Sequence, residues 1–424
     1  MTLKANKIGI YLGNSNGKAI DALNIEKGNP GIGGTQFCML QLAHALNIYG
    51  NYNVTIIANR EYKTEVGINY IKCENYGELI STCEKNHINL LIVHQFNDKK
   101  FRKDIIKSQI KIIAWCHNYI YNETANYLSR TSQIKACVFV GKQMYDRYID
   151  HDIVLKSTFI YNMFYDNIPD FEREISGNFV VYMGSIVPAK GFRELCLIWP
   201  NIIKKVPDAK LIVLGSGKLY GEKTLGDLGI ADQKYENEFK PFITNKSGHI
   251  VPSVVFKGIV GEEKFDIFKS AKVGVVNPTG RTETFGMGIV EMGQAKLPVV
   301  TIGRNGHFDT VLNGKTGLLG KNLKDIQNKI IELLTDNEKN QKLGESAKQN
   351  ISKFDPFKLY KKWNDIISQV INDDIKFSFL KPTYPFNNNQ KWIRIFLRFF
   401  RFKLHLKFIP SLLKIESHLT KLIH

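Results

Sequence analysis

Residues 277–300 read NPTGRTETFGMGIVEMGQAKLPVV, and the interpretation of the chain starts from this stretch. Two glutamates, Glu283 and Glu291, are separated by seven residues. Glycines between them let backbone N–H groups come close to a ligand. The pattern predicts a turn, a helix that contains Glu291, and then a strand from Leu297. The first N–H groups of a helix have no partner inside it, so this turn predicts an anion site.

Two carboxylates beside an anion site indicate sugar chemistry, with one for a ribose diol and one for a transferred sugar. Glutamates at this spacing also occur by chance in many helices. The functional interpretation therefore depends on whether the rest of the chain supplies the other half of a site.

Length and composition restrict the alternatives. A chain of 424 residues predicts two domains, and a hydrophobic share of 43% is ordinary for a globular protein. The net charge of +18 favours acidic partners, which are nucleic acid, an anionic membrane surface or phosphate-bearing substrates. Six scattered cysteines without a Cys-x-x-Cys pair indicate free thiols in a reducing cytoplasm. The sequence has no signal-peptide pattern and no apolar run of transmembrane length.

Short apolar runs alternate with amphipathic ones, which is typical of βαβ units on a parallel sheet. After a first strand at 7–12, a glycine-rich turn with Gly33 and Gly34 opens a helix. Such a turn can bind phosphates through its N–H groups, or it can be a tight turn with no ligand. The strict dinucleotide-binding fingerprint is absent. His117 directly follows the apolar run 112–116, so we expect it at the carboxyl end of a strand, where open α/β sheets bind ligands.

A second α/β unit begins after a polar linker at 166–178. Its first strand, 179–184, leads to Lys190, which is placed before a predicted helix to meet a phosphate as a point charge; a solvated lysine is the alternative. The triplet Asp150-His151-Asp152 follows an amphipathic stretch, so we interpret it as a solvated helix end or a helix cap and assign no metal to it.

The tail, 376–424, carries ten Lys/Arg and one acid, Glu416, which gives it half of the net charge. Four cations fall on one face of a predicted helix: Lys391, Arg394, Arg398 and Arg401. Apolar residues fall largely on the other: Trp392, Ile395, Phe396, Phe399 and Phe402. This pattern is typical of a helix in an anionic bilayer interface; a helix packed on the protein's own surface is the alternative. Nucleic acid is disfavoured because the chain lacks a known binding motif.

In this order, the motifs resemble the GT-B retaining glycosyltransferases of the family 4 group (glycosyl transferases group 1), which build lipopolysaccharide, capsule and other surface glycans. The resemblance covers about residues 7–372 and rests on these segments: Gly31-Ile32-Gly33-Gly34-Thr35, His117, Met183-Gly184-Ser185, Lys190-Gly191, Gly215-Ser216-Gly217, Phe256 to Val260, Glu283 to Glu291, Leu297 to Val300 and Gly314 to Leu319.

The resemblance implies an α/β fold of two Rossmann-like parallel-sheet domains that face each other across a cleft. It implies an acceptor-side domain at 1–168, a nucleotide-sugar domain at 178–354, a helix at 355–375 that packs back on the first domain, and the basic tail at 376–424.

The resemblance also implies a role for each motif. Catalytic roles fall to Glu283, His117 and Lys190. Donor-binding roles fall to Gly33, Gly34, Ser185, Lys190, Gly217, Val260, Phe285, Gly286, Met287 and Glu291. Many members have arginine where this chain has Ser185, so Lys190 would carry more of the phosphate charge, and Arg193 is a candidate to compensate.

These roles imply metal-independent transfer of a hexose from a nucleotide-diphosphate sugar, a UDP-sugar, to a lipid-linked or lipopolysaccharide-type or capsular acceptor, with no cofactor. We expect a cytoplasmic protein, peripheral at the inner face of the membrane through residues 391–424. Two alternatives remain open: a sugar-nucleotide epimerase on the same scaffold, and a catalytically silent assembly partner.

Overall fold

The computed structural model describes residues 6–13, 19–30, 32–217 and 224–423. The chain divides into two compact units. Unit 1 combines Met1–Tyr165 with Pro356–His424, and unit 2 is the continuous segment Asp166–Asp355. Each unit contains its own parallel sheet.

Unit 1 is built on a seven-stranded sheet whose strand order is β5-β3-β1-β6-β7-β8-β9, and β2 pairs separately with β4. Its strands are β1 Lys7–Tyr11, β2 Ile20–Asp21, β3 Asn53–Ala58, β4 Tyr62–Lys63, β5 Ile68–Lys72, β6 Leu90–Val93, β7 Lys111–Cys116, β8 Ile134–Phe139 and β9 Ser157–Phe159. Its first helices are α1 Gly34–Tyr49, α2 Tyr76–Lys85, α3 Lys99–Lys107, α4 Asn122–Arg130 and α5 Lys142–Asp146.

Unit 2 is built on a six-stranded sheet of order β12-β11-β10-β13-β14-β15. Its strands are β10 Phe179–Met183, β11 Lys210–Leu214, β12 Val254–Gly258, β13 Val273–Val275, β14 Val299–Ile302 and β15 Gly317–Gly320. Its helices are α6 Phe192–Lys205, α7 Gln233–Ile243, α8 Lys264–Ser270, α9 Met287–Gln294, α10 His307–Thr310, α11 Leu323–Thr335 and α12 Asn337–Asn350.

The side chains of β10 point alternately to the two faces of the unit 2 sheet, and each face is covered by a hydrophobic core cluster. Val180 and Tyr182 of β10 pack with Trp199 of α6, whereas Val181 packs in a second cluster with Met292 of α9 and Phe268 of α8. Successive side chains of a strand point to opposite faces, so a strand that is apolar at every position must be covered on both. Helices therefore flank the sheet, and polar side chains collect at its ends.

The last part of the chain returns to unit 1 as α13 Pro356–Ile371, α14 Lys391–Arg398 and α15 Leu412–Ile423. Trp363 of α13 packs edge-on against Trp115 of β7 with ring centroids 4.8 Å apart. The Tyr52 hydroxyl donates to Asn364 Oδ1 over 2.7 Å. Of the helices in the described ranges, none has the length and apolarity of a membrane span.

The prediction of a helix cap at Asp150-His151-Asp152 is confirmed, because His151 caps the 3-10 helix Asp152–Lys156 by accepting from the Ile153 N–H. The alternative prediction, a solvated helix end, is wrong. Asp150 and His151 are buried, and Asp150 pairs with Arg394 from the tail, with 3.3 Å between Oδ1 and Nη1. The triplet lies beside a cationic segment that joins it from 244 residues further along the chain. Local sequence does not reveal such a long-range counterion.

Candidate active site

The sheet order of unit 2 places two predicted site residues next to each other. β10 and β13 are neighbours, yet their next strands, β11 and β14, lie on opposite sides. Open α/β sheets bind ligands at the carboxyl ends of the strands where the order reverses in this way. Lys190 follows β10 and Glu283 follows β13, so this switch point brings them together.

Glu283 is held by a buried set of donors. Its Oε2 accepts from Lys190 Nζ over 2.9 Å and from Asn277 Nδ2 over 3.1 Å. Burial raises the pKa of this carboxyl, but the Lys190 ammonium, His307 and the hydrogen bonds from Lys190 and Asn277 outweigh burial and lower it to about 2. Glu283 is therefore a carboxylate at any physiological pH.

The loop that presents Glu283 has several residues in the left-handed backbone region. Asn277 has φ 40° and Thr282 has φ 56°, while Gly280 and Gly286 have φ 62° and 88°. Asparagine tolerates this region, but for a β-branched threonine it is strained. Such strain persists only where the surroundings impose it, and it clusters at functional sites.

Glu291 lies on α9, which begins at Met287 just after Gly286. Its Oε2 pairs with Lys264 Nζ over 2.8 Å, and both side chains are nearly buried. Gly288 of this helix lies close to β10, since a Cβ there would lie 2.8 Å from Met183 Cε. The helix therefore packs closely on the switch-point strand.

Sequence reasoning missed Lys264. It is the first residue of α8 and precedes Glu291 by 27 positions, so neither helix periodicity nor a local motif links the two. Its ammonium group gives the second glutamate a cationic partner, as Lys190 does for the first.

His307 was also missed, and it is fully buried at the start of α10. Its Nδ1 lies 2.9 Å from the carbonyl of Ile302. Its Nε2 has no hydrogen-bond partner in the part of unit 2 that is described. Burial lowers the pKa of this imidazole, and the nearby Glu283 carboxylate opposes that effect. The ring of His307 also lies close to the turn at Gly286, since a Cβ on Gly286 would lie 3.6 Å from His307 Cδ2.

The Ser185 hydroxyl is a second unpartnered polar group near this site. It is buried, and its Oγ finds no hydrogen-bond partner among the residues described. Buried polar groups usually have a hydrogen-bond partner, so this hydroxyl is available to bind a ligand. Arg193, the proposed compensating cation, instead pairs with Glu238 over 3.7 Å, and both side chains are largely exposed.

The remaining glycine turn of unit 2 is closely packed. Gly215 has φ 148°, and a Cβ there would lie 2.0 Å from the carbonyl oxygen of Gly184. Gly217 donates its N–H to Ile230 O over 2.9 Å. Val260, two residues past β12, packs against the same core cluster as Val181. These residues shape the carboxyl ends of β10, β11 and β12.

In unit 1, Gly33 and Gly34 lie at the start of α1, directly after the polar segment that follows β1. No heavy atom of the described chain comes within 4 Å of a Cβ built on either glycine. His117 follows β7, as predicted, and is buried against Trp115 with ring centroids 4.4 Å apart. Burial lowers its pKa well below the usual range, and His94 adds to the effect. Gly31 lies outside the described residues.

Residues 166–350 match the family model for glycosyl transferases group 1. The matched segment is nearly all of unit 2, so the switch point with Lys190, Glu283 and Glu291 lies inside it. The chain is 28% identical over 209 residues to the capsular polysaccharide biosynthesis glycosyltransferase CapM of Staphylococcus aureus, which covers 49% of this chain and 47% of CapM. The chain thus spans about half the length of the curated relatives it matches.

Solved structures resemble the chain over most of its length. A glycosyltransferase from Rickettsia africae has a TM-score of 0.65 at 14% identity and covers 88% of this chain and 100% of its own. HepE of Anabaena in complex with UDP-glucose has a TM-score of 0.61 at 15% identity, with coverage of 86% and 99%. These likenesses show the GT-B fold. The predicted α/β class with two parallel-sheet domains is confirmed.

Proposed function

We propose that the protein is a retaining glycosyltransferase that moves a hexose from a UDP-sugar to a lipid-linked, lipopolysaccharide or capsular glycan acceptor. The observation that carries this proposal is the ion pair of Lys190 and Glu283, whose Nζ and Oε2 atoms are 2.9 Å apart at the switch point of the unit 2 sheet. Both residues lie in the segment 166–350, which matches the family model for glycosyl transferases group 1. HepE, bound to UDP-glucose, supports the donor class, and CapM supports a capsule-type acceptor.

In the proposed reaction, the bond between the anomeric carbon and the diphosphate oxygen breaks, and a bond to the acceptor hydroxyl oxygen forms. The hydroxyl proton leaves with the diphosphate. Lys190 neutralises charge on the departing diphosphate, and Glu283 contacts the transferred sugar near the reacting carbon. Fixed charges and N–H groups at the place where charge develops are usually the largest catalytic contribution.

Donor recognition is proposed to use the start of α9. Glu291 accepts hydrogen bonds from the ribose hydroxyls, and the N–H groups of Phe285, Gly286 and Met287 hold sugar hydroxyls and the distal phosphate. The buried Ser185 hydroxyl donates to a phosphate oxygen, which gives it the partner that it lacks among the described residues.

Val260 and Gly217 are proposed to flank the base and the diphosphate. In unit 1, Gly33 and Gly34 are proposed to bind the diphosphate, and His117 to contact the donor as a neutral imidazole. Replacing His117 with Gln should lower turnover, because the imidazole that contacts the donor is removed. UDP should still bind, because the amide keeps hydrogen-bonding capacity. Unchanged turnover would contradict this role.

The reaction is proposed to need no metal, because both glutamates are already engaged by ammonium groups and Lys190 supplies the positive charge. Turnover should survive exhaustive treatment with a chelator. Loss of turnover that added Mg²⁺ or Mn²⁺ restores would contradict this part of the proposal.

The direct test replaces Glu283 with Gln, which keeps the shape and removes the charge. We expect turnover to fall by a factor of about 10² to 10³, with UDP binding retained in calorimetry. Glu238→Gln, on an exposed carboxylate of the same unit, is the matched control. Undiminished transfer by the Glu283 variant would refute the site.

The product distinguishes the proposal from its two alternatives. Transfer with retention gives a glycosylated acceptor whose new anomeric centre keeps the donor configuration, which NMR can read. An isomerised UDP-sugar formed without acceptor would identify an epimerase. A chain that binds no nucleotide diphosphate would be an assembly partner.

We propose finally that the protein works at the inner face of the cytoplasmic membrane, where lipid-linked acceptors are accessible. An anionic membrane is the partner proposed for residues 391–424, and nucleic acid is not.

A further inference from the structure

The cationic face of α14 points into the protein. Lys391 and Arg394 have no exposed surface, and Arg401, in the π-helical turn Phe399–Lys403 that continues α14, is also buried. A basic helix that binds lipid headgroups through its cations would show the opposite orientation.

Each inward cation meets a carboxylate of the 146–152 segment. Lys391 Nζ lies 2.9 Å from Asp146 Oδ2, Arg394 pairs with Asp150, and Arg401 Nη2 lies 2.9 Å from Asp152 Oδ1. Buried charges need such partners because removing one leaves an unpaired charge away from water. The three pairs therefore fix the rotation of the helix about its axis.

This rotation turns the aromatic face outward. Trp392 and Phe396 are each 61% exposed, and Phe399 follows on the same side of the helix. Phe408, just beyond the π-helical turn, is 83% exposed. A run of exposed aromatic rings on one surface is characteristic of an interaction site, whereas a helix that only packs on its own protein would bury them.

The exposed lysines of the same tail segment supply positive charge. Lys381, Lys403, Lys407 and Lys414 are exposed. Glu416 is the one acidic residue in the sequence from 376 to 424, and its carboxylate forms salt bridges with Arg147 and Arg394. Exposed aromatic rings and exposed lysines on one segment suit a bilayer interface with anionic headgroups. A second copy of the chain fits worse, because a two-fold contact would bring the lysines of both copies together.

We infer that the aromatic face of Trp392, Phe396 and Phe399 inserts into the interface of an anionic membrane, with Lys403 and Lys407 at the headgroups. The buried cations serve to orient the helix rather than to bind lipid. This inference deepens the membrane part of the proposed function and needs no donor or turnover to be tested.

Intrinsic fluorescence tests insertion directly in the full-length protein. The chain has four tryptophans, of which Trp115, Trp199 and Trp363 are buried. Vesicles of phosphatidylcholine and phosphatidylglycerol with brominated acyl chains should therefore quench Trp392 alone. Trp392→Phe should remove the quenchable emission while the protein still cosediments with vesicles. Cosedimentation of the wild type without any quenching would overturn insertion.

A variant with Trp392, Phe396 and Phe399 all replaced by serine tests the driving force. Its partition coefficient on anionic vesicles should fall at least about tenfold, because the rings supply the apolar area. Tyr121→Ser, on an exposed ring of the same unit outside the tail, is the matched control and should bind like the wild type. Equal binding by the triple variant would overturn the inference.

Two further experiments test whether the lysines contribute to vesicle binding and whether the aromatic face binds a second copy of the chain instead. A variant with Lys403→Gln and Lys407→Gln should bind anionic vesicles more weakly and with less salt dependence, while its bound fraction is still quenched. Sedimentation without vesicles should show the same oligomeric state for the wild type and the serine variant. A dimer that the serine substitutions dissociate would assign the face to a second copy instead.

Discussion

Replacing Lys190 with Met should make the stability of unit 2 depend on pH in a new way. In the wild type, burial raises the pKa of Glu283, but Lys190, His307 and their hydrogen-bonded neighbours lower it from 4.5 to about 2. Since one pKa unit corresponds to ~1.36 kcal/mol, the ionised carboxylate contributes roughly 3 kcal/mol to folding. Because the folded pKa is depressed, this contribution is present above the unfolded pKa and is lost as the pH falls towards 2.

In the Lys190→Met variant, burial still raises the pKa of Glu283, but the Lys190 ammonium no longer lowers it. The pKa of Glu283 in the folded protein should therefore rise above its value in the unfolded chain. The contribution of Glu283 to stability is then largest at pH values below its pKa in the unfolded chain, and it is lost as the pH rises through its pKa in the folded protein. Breaking a buried pair in this way costs about 3–5 kcal/mol, and we expect the lower half of that range because Lys190 keeps some exposure.

Urea unfolding at about pH 5 and about pH 8 measures this effect, with the larger loss expected at the higher pH. Adding Glu283→Gln to the Lys190 variant should restore most of the loss, since no buried charge then remains unpaired. Lys240→Met, which breaks an exposed pair with Asp227, is the control and should change stability by less than about 1 kcal/mol. A loss that is the same at both pH values, or no recovery in the double variant, would refute the reasoning.

Three further substitutions probe the site and its scaffold. Lys264→Met should weaken UDP binding about tenfold in calorimetry, because it frees Glu291 from its orienting cation, whereas Lys269→Met on the same helix should not; equal effects would contradict this. Ser185→Ala should leave the melting temperature unchanged, since the hydroxyl has no partner among the described residues, and weaken UDP binding by a factor of about 2 to 10; a large loss of stability would show a structural role instead. Gly215→Ala should destabilise by more than about 2 kcal/mol in urea unfolding, because its Cβ would overlap the Gly184 carbonyl, while Gly248→Ala, with open space around it, should cost about 1 kcal/mol; similar losses would contradict this.

Features that depend on local periodicity were predictable from the sequence. The strand predicted at 179–184 is observed at Phe179–Met183, a helix follows Lys190 as predicted, and His117 lies directly after its strand. The pair of Lys190 and Glu283 was predicted only as two residues of one site. Their contact follows from the adjacency of β10 and β13, which is a property of the sheet order.

Features that depend on distant counterions were not predictable. The spacing of Lys391 and Arg394 separates the helix into two faces but does not tell which one points inward. That choice is made by Asp146 and Asp150, more than 240 residues earlier. The same limitation explains why Lys264 was missed, since its partner Glu291 lies on another helix.

The division of the chain into a continuous unit 2 and a unit 1 made from both of its ends has a consequence for synthesis. All of unit 2 is translated before the tail, so it can begin to fold before unit 1 is complete. Unit 1 is completed later, because Asp150 lacks the cation that allows it to be buried until Arg394 has been translated. Unit 1 is therefore completed after unit 2, and nascent chains interrupted before the tail should expose the segment around Asp150 to chaperones and proteases.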